Sequence, residues 1–293
     1  MAHTIVEAAE QLLDQPIPVL DHGFVRLVDY MGGDQRIVQS ARVSYGAGTK
    51  TVRQDRGLIH YLMKHAHTSP FEQVQLTFHT KMPVFVARQW VRHRTARLNE
   101  ISARYSVMKD EFYVPEPDKV SYQSESNKQG RGGNLPEAEA AEIIATLTEQ
   151  NRSAYAAYEG MLEQGIAREL ARTILPVSLY TEWYWQIDLH NLFHFLALRL
   201  DGHAQYEIRV YAEAMAQCAK AVAPLAYEAF EEHVLNRVAF SGTEAAALAA
   251  KLAGKPVTLT GKDLERFEEK LQKMLASHGI ETPEEPTLPE STT

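Results

Sequence analysis

The stretch RQWVRHRTARLNEISAR, residues 88–104, contains five arginines and a single acid, Glu100, inside a chain whose formal net charge is −8. Arginine presents a rigid fork of donors that matches phosphate and carboxylate oxygens, and it stays charged at physiological pH. The stretch therefore predicts a bound polyanion, such as one or two nucleotides. A solvated face, or an ion-pair network with acids from elsewhere in the chain, remains open as the alternative.

Composition limits the class of protein. The chain has 293 residues, 45% hydrophobic and 23% charged, the balance of a globular protein with one large domain or two small ones. No apolar run approaches the roughly 18 residues that a membrane helix needs, and the N-terminus lacks the basic region of a secretory signal. We therefore expect no membrane partner. The acidic balance argues against general nucleic-acid binding.

Cys218 is the only cysteine, so an internal disulfide and a cysteine-based zinc site are excluded. A lone thiol fits a reducing compartment and predicts a cytoplasmic protein. Cys218 lies in the alanine-rich stretch AEAMAQCAKAVA, which predicts a small buried side chain on a helix rather than a nucleophile.

Hydrophobic periodicity predicts helices mixed with a few strands, an α+β fold of the mixed α/β kind. Strands are predicted over 23–30, 74–82 and 179–186, and helices over 36–45, 53–65, 83–94, 136–163, 167–173, 189–200, 204–222 and 225–235. Asp188 is the predicted N-cap of the helix that follows it. The polar stretch 115–136 is predicted to be a loop or lid.

The character of the chain changes after about residue 240. We predict a main domain over residues 1–240 and a C-terminal extension over 241–293. The extension is predicted to contain one helix, at 262–276, followed by a disordered tail that ends in TPEEPTLPESTT.

A second set of polar residues lies about ninety positions after the arginine-rich stretch. Arg172 precedes TILP, and Arg199 ends the predicted helix LHNLFHFLALRL. His190 and His194 are four residues apart and share one face of that helix. Such a pair could bind a metal, but Asn191 stands where a metalloprotease helix has glutamate. Two hydrogen-bonded histidines at a helix edge are the alternative, and we predict no metal.

The segment RHRTARLNEISARYS, residues 92–106, resembles the signature of the flavin-dependent thymidylate synthases, which reads R-H-R and, after a gap, N-E-x-S-x-R-Y-S. Two flanking blocks are also similar to this family. They are HTSPFEQVQLTFHTKMPVFVARQW before the signature and ARTILPVSLYTEWYWQIDLHNLFHFLALRLDGHAQYEI after it. The resemblance covers roughly residues 20–238.

The resemblance implies a central, mostly antiparallel sheet flanked by helices, and a homotetramer whose active sites combine residues of more than one chain. It implies that dUMP is methylated to dTMP, with 5,10-methylenetetrahydrofolate as carbon donor and NADPH as reductant through FAD. It also implies that no cysteine nucleophile is used.

Site residues carry over from the resemblance position by position. The FAD contacts would be Ser69, Arg92, His93, Arg94, Glu100, Asp188, His190 and His194. The dUMP contacts would be Gln89, Arg92, Glu100, Ile101, Ser102, Ala103, Arg104, Arg172 and Arg199. Arg199 would be the catalytic residue: a cation beside the uracil ring favours ionisation at N3 and stabilises the charge that makes C5 nucleophilic.

Three positions depart from the family pattern. Arg97 replaces a common serine, Asp188 a common asparagine and His190 a common arginine, so contacts to FAD would differ there. Two other functions stay open: a non-catalytic nucleotide- or RNA-binding protein that uses the Arg88–Arg104 cluster, and a histidine-dependent metalloenzyme. The first predicts no flavin and salt-sensitive binding, and the second predicts stoichiometric metal.

Overall fold

The computed structural model describes residues 4–43, 52–125, 130–277 and 279–280. The chain divides into two compact units, Met1–Leu235 and Asn236–Thr293. Among the described residues, no helix combines the length and the apolar character needed to cross a membrane.

The first unit is built on a five-stranded sheet in which each neighbouring pair is antiparallel. Its strands, in spatial order, are β1 (Pro16–Val19), β2 (Gly23–Met31), β3 (Gln75–Pro83), β7 (Tyr180–Asp188) and β4 (Arg97–Glu100). A separate hairpin pairs β5 (Ser121–Gln123) with β6 (Arg131–Asn134). The predicted α+β fold with a central antiparallel sheet is confirmed.

Nine α-helices surround this sheet in the described part of the first unit. They are α1 (Glu7–Glu10), α2 (Asp34–Arg42), α3 (Val52–Lys64), α4 (Val84–Trp90), α5 (Glu137–Glu163), α6 (Arg168–Ala171), α7 (Leu189–Arg199), α8 (Tyr206–Val222) and α9 (Pro224–Phe230). Short 3₁₀ turns lie at Phe71–Gln73, Pro117–Lys119 and Arg172–Ile174, and a π-helical turn, Glu231–Leu235, follows α9.

The core forms where one face of the sheet meets the helices. Alternate residues of β3 and β7 point to this face, as the period of two requires, so Phe78 and Trp185 are buried. Trp90, the last residue of α4, stacks on Phe195 of α7 with ring centroids 5.0 Å apart and meets Trp185 edge-on at 5.4 Å. These aromatic contacts fix α4 and α7 against the same strands, and both helices carry predicted site residues.

Asp188 ends β7 and begins α7. Its carboxylate accepts hydrogen bonds from the backbone N–H of Asn191 at 2.9 Å and from the side-chain amide of Asn191 at 2.7 Å. A carboxylate at this position satisfies an otherwise unpaired N–H of the first helical turn. The predicted N-cap is confirmed.

Gly23 shows why β1 and β2 turn so tightly. A Cβ atom there would lie 2.0 Å from the hydroxyl of Tyr211 and 2.6 Å from the carbonyl oxygen of Val19. That hydroxyl donates to the carbonyl oxygen of Lys81 at 2.8 Å, so it cannot withdraw without breaking a buried hydrogen bond. Only glycine fits where α8 approaches the turn this closely.

The region after Trp90 differs from the prediction. The helix predicted over 83–94 begins after Pro83 and ends at Trp90, and β4 follows at Arg97–Glu100. The loop predicted over 115–136 contains the β5–β6 hairpin. Both strand pairs are short and polar, and β4 depends on pairing with β7, a partner distant in sequence, so local periodicity does not reveal it.

The second unit contains two helices, α10 (Gly242–Leu252) and α11 (Gly261–Ser277), so the prediction of one helix was wrong. The alanine-rich α10 has few large apolar residues to mark a period, and its N-terminus is instead stabilised by a capping box between Ser241 and Glu244. Phe267 and Leu271 of α11 are buried in this unit's own core. The tail predicted to be disordered includes residues 281–293, which lie outside the described residues.

Candidate active site

The arginine-rich stretch forms an exposed positive surface around the end of α4. Arg88 lies on α4, Arg92 and Arg94 follow it, and Arg97 begins β4; all four are exposed. In the described ranges, none of the four lies within ion-pair distance of a carboxylate. Within those ranges, an internal ion-pair network does not account for these four arginines, and their charge is available to an anionic ligand.

Arg199 and His93 meet inside this surface. The Nε of Arg199 donates a hydrogen bond to Nε2 of His93 at 3.1 Å. Arg199 ends α7 and His93 lies just after α4, so the packing of Trp90 on Phe195 holds both. The side-chain pairing fixes one edge of the guanidinium, and no other described residue bonds to it, so its remaining nitrogens can face a ligand.

Burial determines the protonation of this pair. Burial lowers the pKa of His93 to about 4, with further lowering by the charge of Arg199 and by His194. At neutral pH the ring is therefore neutral, and because Nε2 accepts the hydrogen bond, the ring proton lies on Nδ1. Burial also lowers the pKa of Arg199, but a guanidinium remains a cation at neutral pH.

Two other predicted flavin-binding residues lie on α7. The ring of His194 is 6.0 Å from that of His93, centroid to centroid, and the His194 side chain is exposed. His190 is one turn earlier on the same helix and is half-buried. The structure therefore brings His93, His194 and Arg199 together at one place. Among the described residues, no three histidine, cysteine or carboxylate side chains are placed to hold a metal ion.

Asp188 is the last residue of β7, and Ser69 lies in the turn that precedes β3. Both oxygens of Asp188 already accept hydrogen bonds as the N-cap of α7, so this carboxylate has a structural partner. Ser69 is exposed in the turn before Pro70. Their predicted contact with FAD stays a prediction.

Glu100 connects the signature to β7. It is exposed at the end of β4, and its Oε1 accepts a hydrogen bond from the hydroxyl of Thr181 at 2.6 Å. Thr181 was not among the predicted residues, because its position beside Glu100 depends on the β4–β7 register.

The segment Ile101–Arg104 follows β4; Ile101 and Arg104 are exposed, and Ser102 and Ala103 are half-buried. The N–H of Ile101 donates to the carbonyl oxygen of Glu182 at 2.9 Å, and the N–H of Arg104 lies 3.3 Å from the hydroxyl of Ser102. Ala103 packs against a second small core that contains Ala171, and Ile174 packs against the same core. This core brings the segment close to the 3₁₀ turn that carries Arg172.

Arg104 and Arg172 lie on this second part of the site. The Nε of Arg104 donates to Glu169 at 3.1 Å; both side chains are exposed, so a ligand phosphate can compete with this ion pair. Arg172 is exposed at the start of its turn and, in the described part of the chain, has no carboxylate partner. Among the described residues, no hydrogen bond or ion pair connects Arg104 or Arg172 to Arg199 or His93.

The two ends of the site are far apart within one chain. Ile101 is bonded to Glu182, and Asp188 stands six positions further along β7, which is about 20 Å at roughly 3.4 Å per residue. One nucleoside monophosphate cannot contact both ends.

Sequence reasoning missed the residues behind Gln89. The side-chain amide of Gln89 donates to Oε1 of Gln205, and Gln205 in turn donates to Oε2 of Glu207 at 2.9 Å. The letters HAQYEI at 203–208 belong to the block that resembles the family, but nothing in their spacing indicates this contact.

Cys218 is buried on α8, 1% exposed, and burial raises the pKa of its thiol to about 12. A neutral, buried thiol is a poor nucleophile at physiological pH. The predicted burial is confirmed.

Comparison with known proteins gives a consistent result. Residues 26–225 match the family described as thymidylate synthase complementing protein, and residues 238–276 match the thymidylate synthase ThyX C-terminal domain. The flavin-dependent thymidylate synthase of Treponema pallidum is 58% identical over 277 residues, 94% of this chain and 90% of the relative. That of Treponema denticola is 60% identical over 261 residues, 89% of this chain and 98% of the relative.

A solved structure with the same fold is the UMP/dUMP methylase PolB of Streptomyces cacaoi bound with 5-Br dUMP. It is 33% identical with a TM-score of 0.68, covering 75% of this chain and 99% of that chain. The matched family models and the relatives that span most of this sequence show that the chain belongs to the flavin-dependent thymidylate synthase family.

Proposed function

We propose that this protein converts dUMP, 5,10-methylenetetrahydrofolate, NADPH and a proton into dTMP, tetrahydrofolate and NADP⁺, with FAD as its cofactor. The proposal rests on family membership and on one structural observation. Arg199 is oriented by a neutral His93 within a surface of arginines that lack carboxylate partners in the described ranges.

Arg199 is the residue that activates the nucleotide in this proposal. Its half-buried guanidinium lies in a medium of lower dielectric than water, where a cation stabilises nearby negative charge more strongly. Placed against the uracil ring, it favours loss of the N3 proton and delocalisation of the resulting charge towards C5. Because Nε is already bonded to His93, the terminal nitrogens are the donors that remain for the base.

The other substrate residues bind and orient dUMP. The exposed arginines Arg92, Arg104 and Arg172 suit its phosphate dianion. Ser102 supplies a hydroxyl, and the backbone at Ile101 and Ala103 supplies further polar groups. Gln89 supplies a side-chain amide, and Glu100 is held beside the segment by Thr181.

The residues present fit a bound FAD. The exposed guanidinium groups of Arg92 and Arg94 match the oxygens of a pyrophosphate, and neutral His93 with the adjacent exposed His194 offers rings and N–H donors for an aromatic heterocycle. Ser69, Glu100, Asp188 and His190 complete the proposed set. When bound, the flavin supplies the hydride chemistry, and the protein supplies orientation and electrostatics.

A cysteine nucleophile has no place in this mechanism. The only thiol is buried on α8, and its pKa of about 12 keeps it protonated. The same lone, reduced thiol supports a cytoplasmic location as part of the proposal.

The active site is proposed to be shared between chains of a homotetramer. The division of the proposed dUMP contacts into two groups supports this: among the described residues, no hydrogen bond or ion pair connects Arg104 or Arg172 to Arg199 or His93. Co-expression of two inactive variants, Arg104→Ala and Arg199→Ala, tests it. If the two residues come from different chains, mixed tetramers contain intact sites and recover activity; no recovery would show that one chain supplies both.

The visible spectrum of the purified protein tests the function itself. We expect a flavin spectrum that bleaches with NADPH under anaerobic conditions, at a rate that dUMP alters, and dTMP formation once methylenetetrahydrofolate is added. A colourless protein that takes up no FAD would overturn the proposal and leave the arginine cluster as a plain anion-binding surface.

A further inference from the structure

A chain of hydrogen bonds runs from the site into the protein behind Gln89. The side-chain amide of Gln89 donates to Gln205, which donates to Glu207 at 2.9 Å. Glu207 also accepts from the hydroxyl of Tyr113 at 2.9 Å and forms an ion pair with Arg131 of the β5–β6 hairpin. The site thereby reaches a carboxylate that is 1% exposed.

Glu207 is a charged hydrogen-bond acceptor. Burial alone would raise its pKa, but the hydrogen bond and charge of Arg131, together with the amide of Gln205, hold the pKa below its usual range. An ionised carboxylate can only accept hydrogen bonds. Each group that touches it must therefore donate, and its three side-chain partners among the described residues all do so.

The requirement that Glu207 only accepts also fixes the next two side chains in the hydrogen-bond network. Because Glu207 accepts only, Gln205 must turn its NH₂ group towards it, and its carbonyl oxygen then faces Gln89. Gln89 must then donate from its own NH₂ group to that oxygen, which fixes the rotation of its terminal amide. The orientation of a side chain at the substrate site is thus set by a charge two residues away in the network.

We infer that Glu207 is a positioning residue for dUMP binding: through Gln205 it holds the amide of Gln89 in one orientation before the nucleotide arrives. An ordered side chain binds more tightly, because its conformational freedom does not have to be lost on binding. The inference rests on the proposed function, in which Gln89 contacts dUMP.

Substitution of Glu207 by glutamine tests the inference. Glutamine keeps the size but removes the charge and can either donate or accept, so Gln205 is free to turn. We expect E207Q to raise the KM for dUMP about three- to tenfold, with kcat within about twofold of the wild type and FAD content unchanged. A KM equal to that of the wild type would overturn the inference.

Asp34→Asn is the matched control. Asp34 is a half-buried carboxylate, and it accepts hydrogen bonds from the backbone N–H groups of Leu225 and Ala226, which follow the opposite end of α8 from Gln205. Its substitution also removes a hydrogen-bonded charge, so it costs stability without touching the site. We expect Asp34→Asn to leave the KM for dUMP unchanged. If its KM rises as much as that of E207Q, the effect of E207Q is explained by general destabilisation, and the inference is overturned.

A double-mutant cycle shows whether Glu207 affects the KM for dUMP through Gln89 or independently of it. In a Gln89→Ala background, E207Q should change the KM for dUMP by less than twofold, because the residue it positions is gone. A full additional rise would show that Glu207 does not act through Gln89. If E207Q does not fold, Gln205→Met replaces it in the same cycle: it keeps a side chain of similar length but removes the amide that links Glu207 to Gln89. A rise in the KM for dUMP that disappears in the Gln89→Ala background is then expected, and an unchanged KM for Gln205→Met would overturn the inference.

Failure of the inference differs from failure of the proposed function. If the wild type forms no dTMP, the function is wrong. If the wild type forms dTMP and E207Q has the same KM, only the positioning role is wrong.

Discussion

The Nε atom of Arg199 lies 3.1 Å from Nε2 of His93. The cationic side chain of Arg199 is therefore held in place by a neutral imidazole rather than by a carboxylate. A carboxylate in the place of His93 would neutralise the guanidinium and weaken its effect on a bound ring. A neutral imidazole orients the guanidinium and leaves its charge available.

The first prediction concerns Arg199 itself. Arg199→Ala should lower the rate of dTMP formation by about 10²- to 10³-fold, the usual cost of removing a group that stabilises developing charge. FAD content should remain close to that of the wild type. Arg199→Lys keeps the charge but loses the Nε hydrogen bond, so its rate of dTMP formation should lie between those of the wild type and Arg199→Ala. Turnover of the alanine variant near the wild-type rate would contradict the assigned role.

The second prediction is the titration of His93. Above pH 6.5, its ordinary pKa, the ring is neutral in both the folded and the unfolded chain. As the pH falls from 6.5 towards about 4, only the unfolded chain gains the proton, so the free energy of unfolding falls across this window. Below about 4 both forms are protonated and this contribution changes no further. NMR of histidine-labelled protein measures the pKa directly.

Arg199 supplies the control for that titration. Arg199→Ala removes one of the charges that disfavour protonation, so the pKa of His93 should rise towards its ordinary value while remaining below it, because burial is the larger cause. Arg152→Ala, which removes an exposed arginine of α5, should leave it unchanged. Equal pKa values in all three proteins would show that Arg199 does not influence His93.

The third prediction concerns the thiol. Cys218→Ser should keep dTMP formation within about twofold of the wild type, because a buried thiol with a pKa of about 12 takes no part in the chemistry. The serine hydroxyl is harder to bury and should cost about 1–3 kcal/mol of stability unless it finds a partner. Activity assays and thermal unfolding measure the two effects. A folded but inactive variant would restore a thiol mechanism.

The fourth prediction concerns the second unit. Phe267 is 1% exposed at the centre of this unit's core, so Phe267→Ala should destabilise that unit by about 3–5 kcal/mol. Limited proteolysis with mass spectrometry should show faster cleavage within 242–277 and unchanged cleavage within 52–125. Leu252→Ala, at a position that is 81% exposed, is the control and should have no effect. Faster cleavage in both regions would show that the two units do not unfold separately.

Local sequence predicted the elements that carry their own pattern. The alternation over 74–82 became β3, the aromatic-rich stretch 179–186 became β7, and Asp188 became the N-cap of α7. β4 was missed because four residues with an arginine and a glutamate become a strand only by pairing with β7.

The sequence predicted the residue types of the candidate site but not the contacts between them, for the same physical reason. Its arginines are visible as charge in the sequence, but the contact of His93 with Arg199 joins residues 106 positions apart and depends on the packing of α4 against α7. The network behind Gln89 likewise depends on the placement of α8 and of the hairpin that carries Arg131.

The two outer strands of the sheet have a consequence for how the protein behaves in concentrated solution. An unpaired strand edge invites another chain to add to it and so seeds aggregation, and proline or charge prevents this. The outer strand β1 contains Pro16 and Pro18. The other outer strand, β4, is exposed and begins with Arg97, three residues after Arg94. Positive charge at this edge repels a second copy of the same strand, so the side chains proposed to bind anionic ligands also oppose fibre formation.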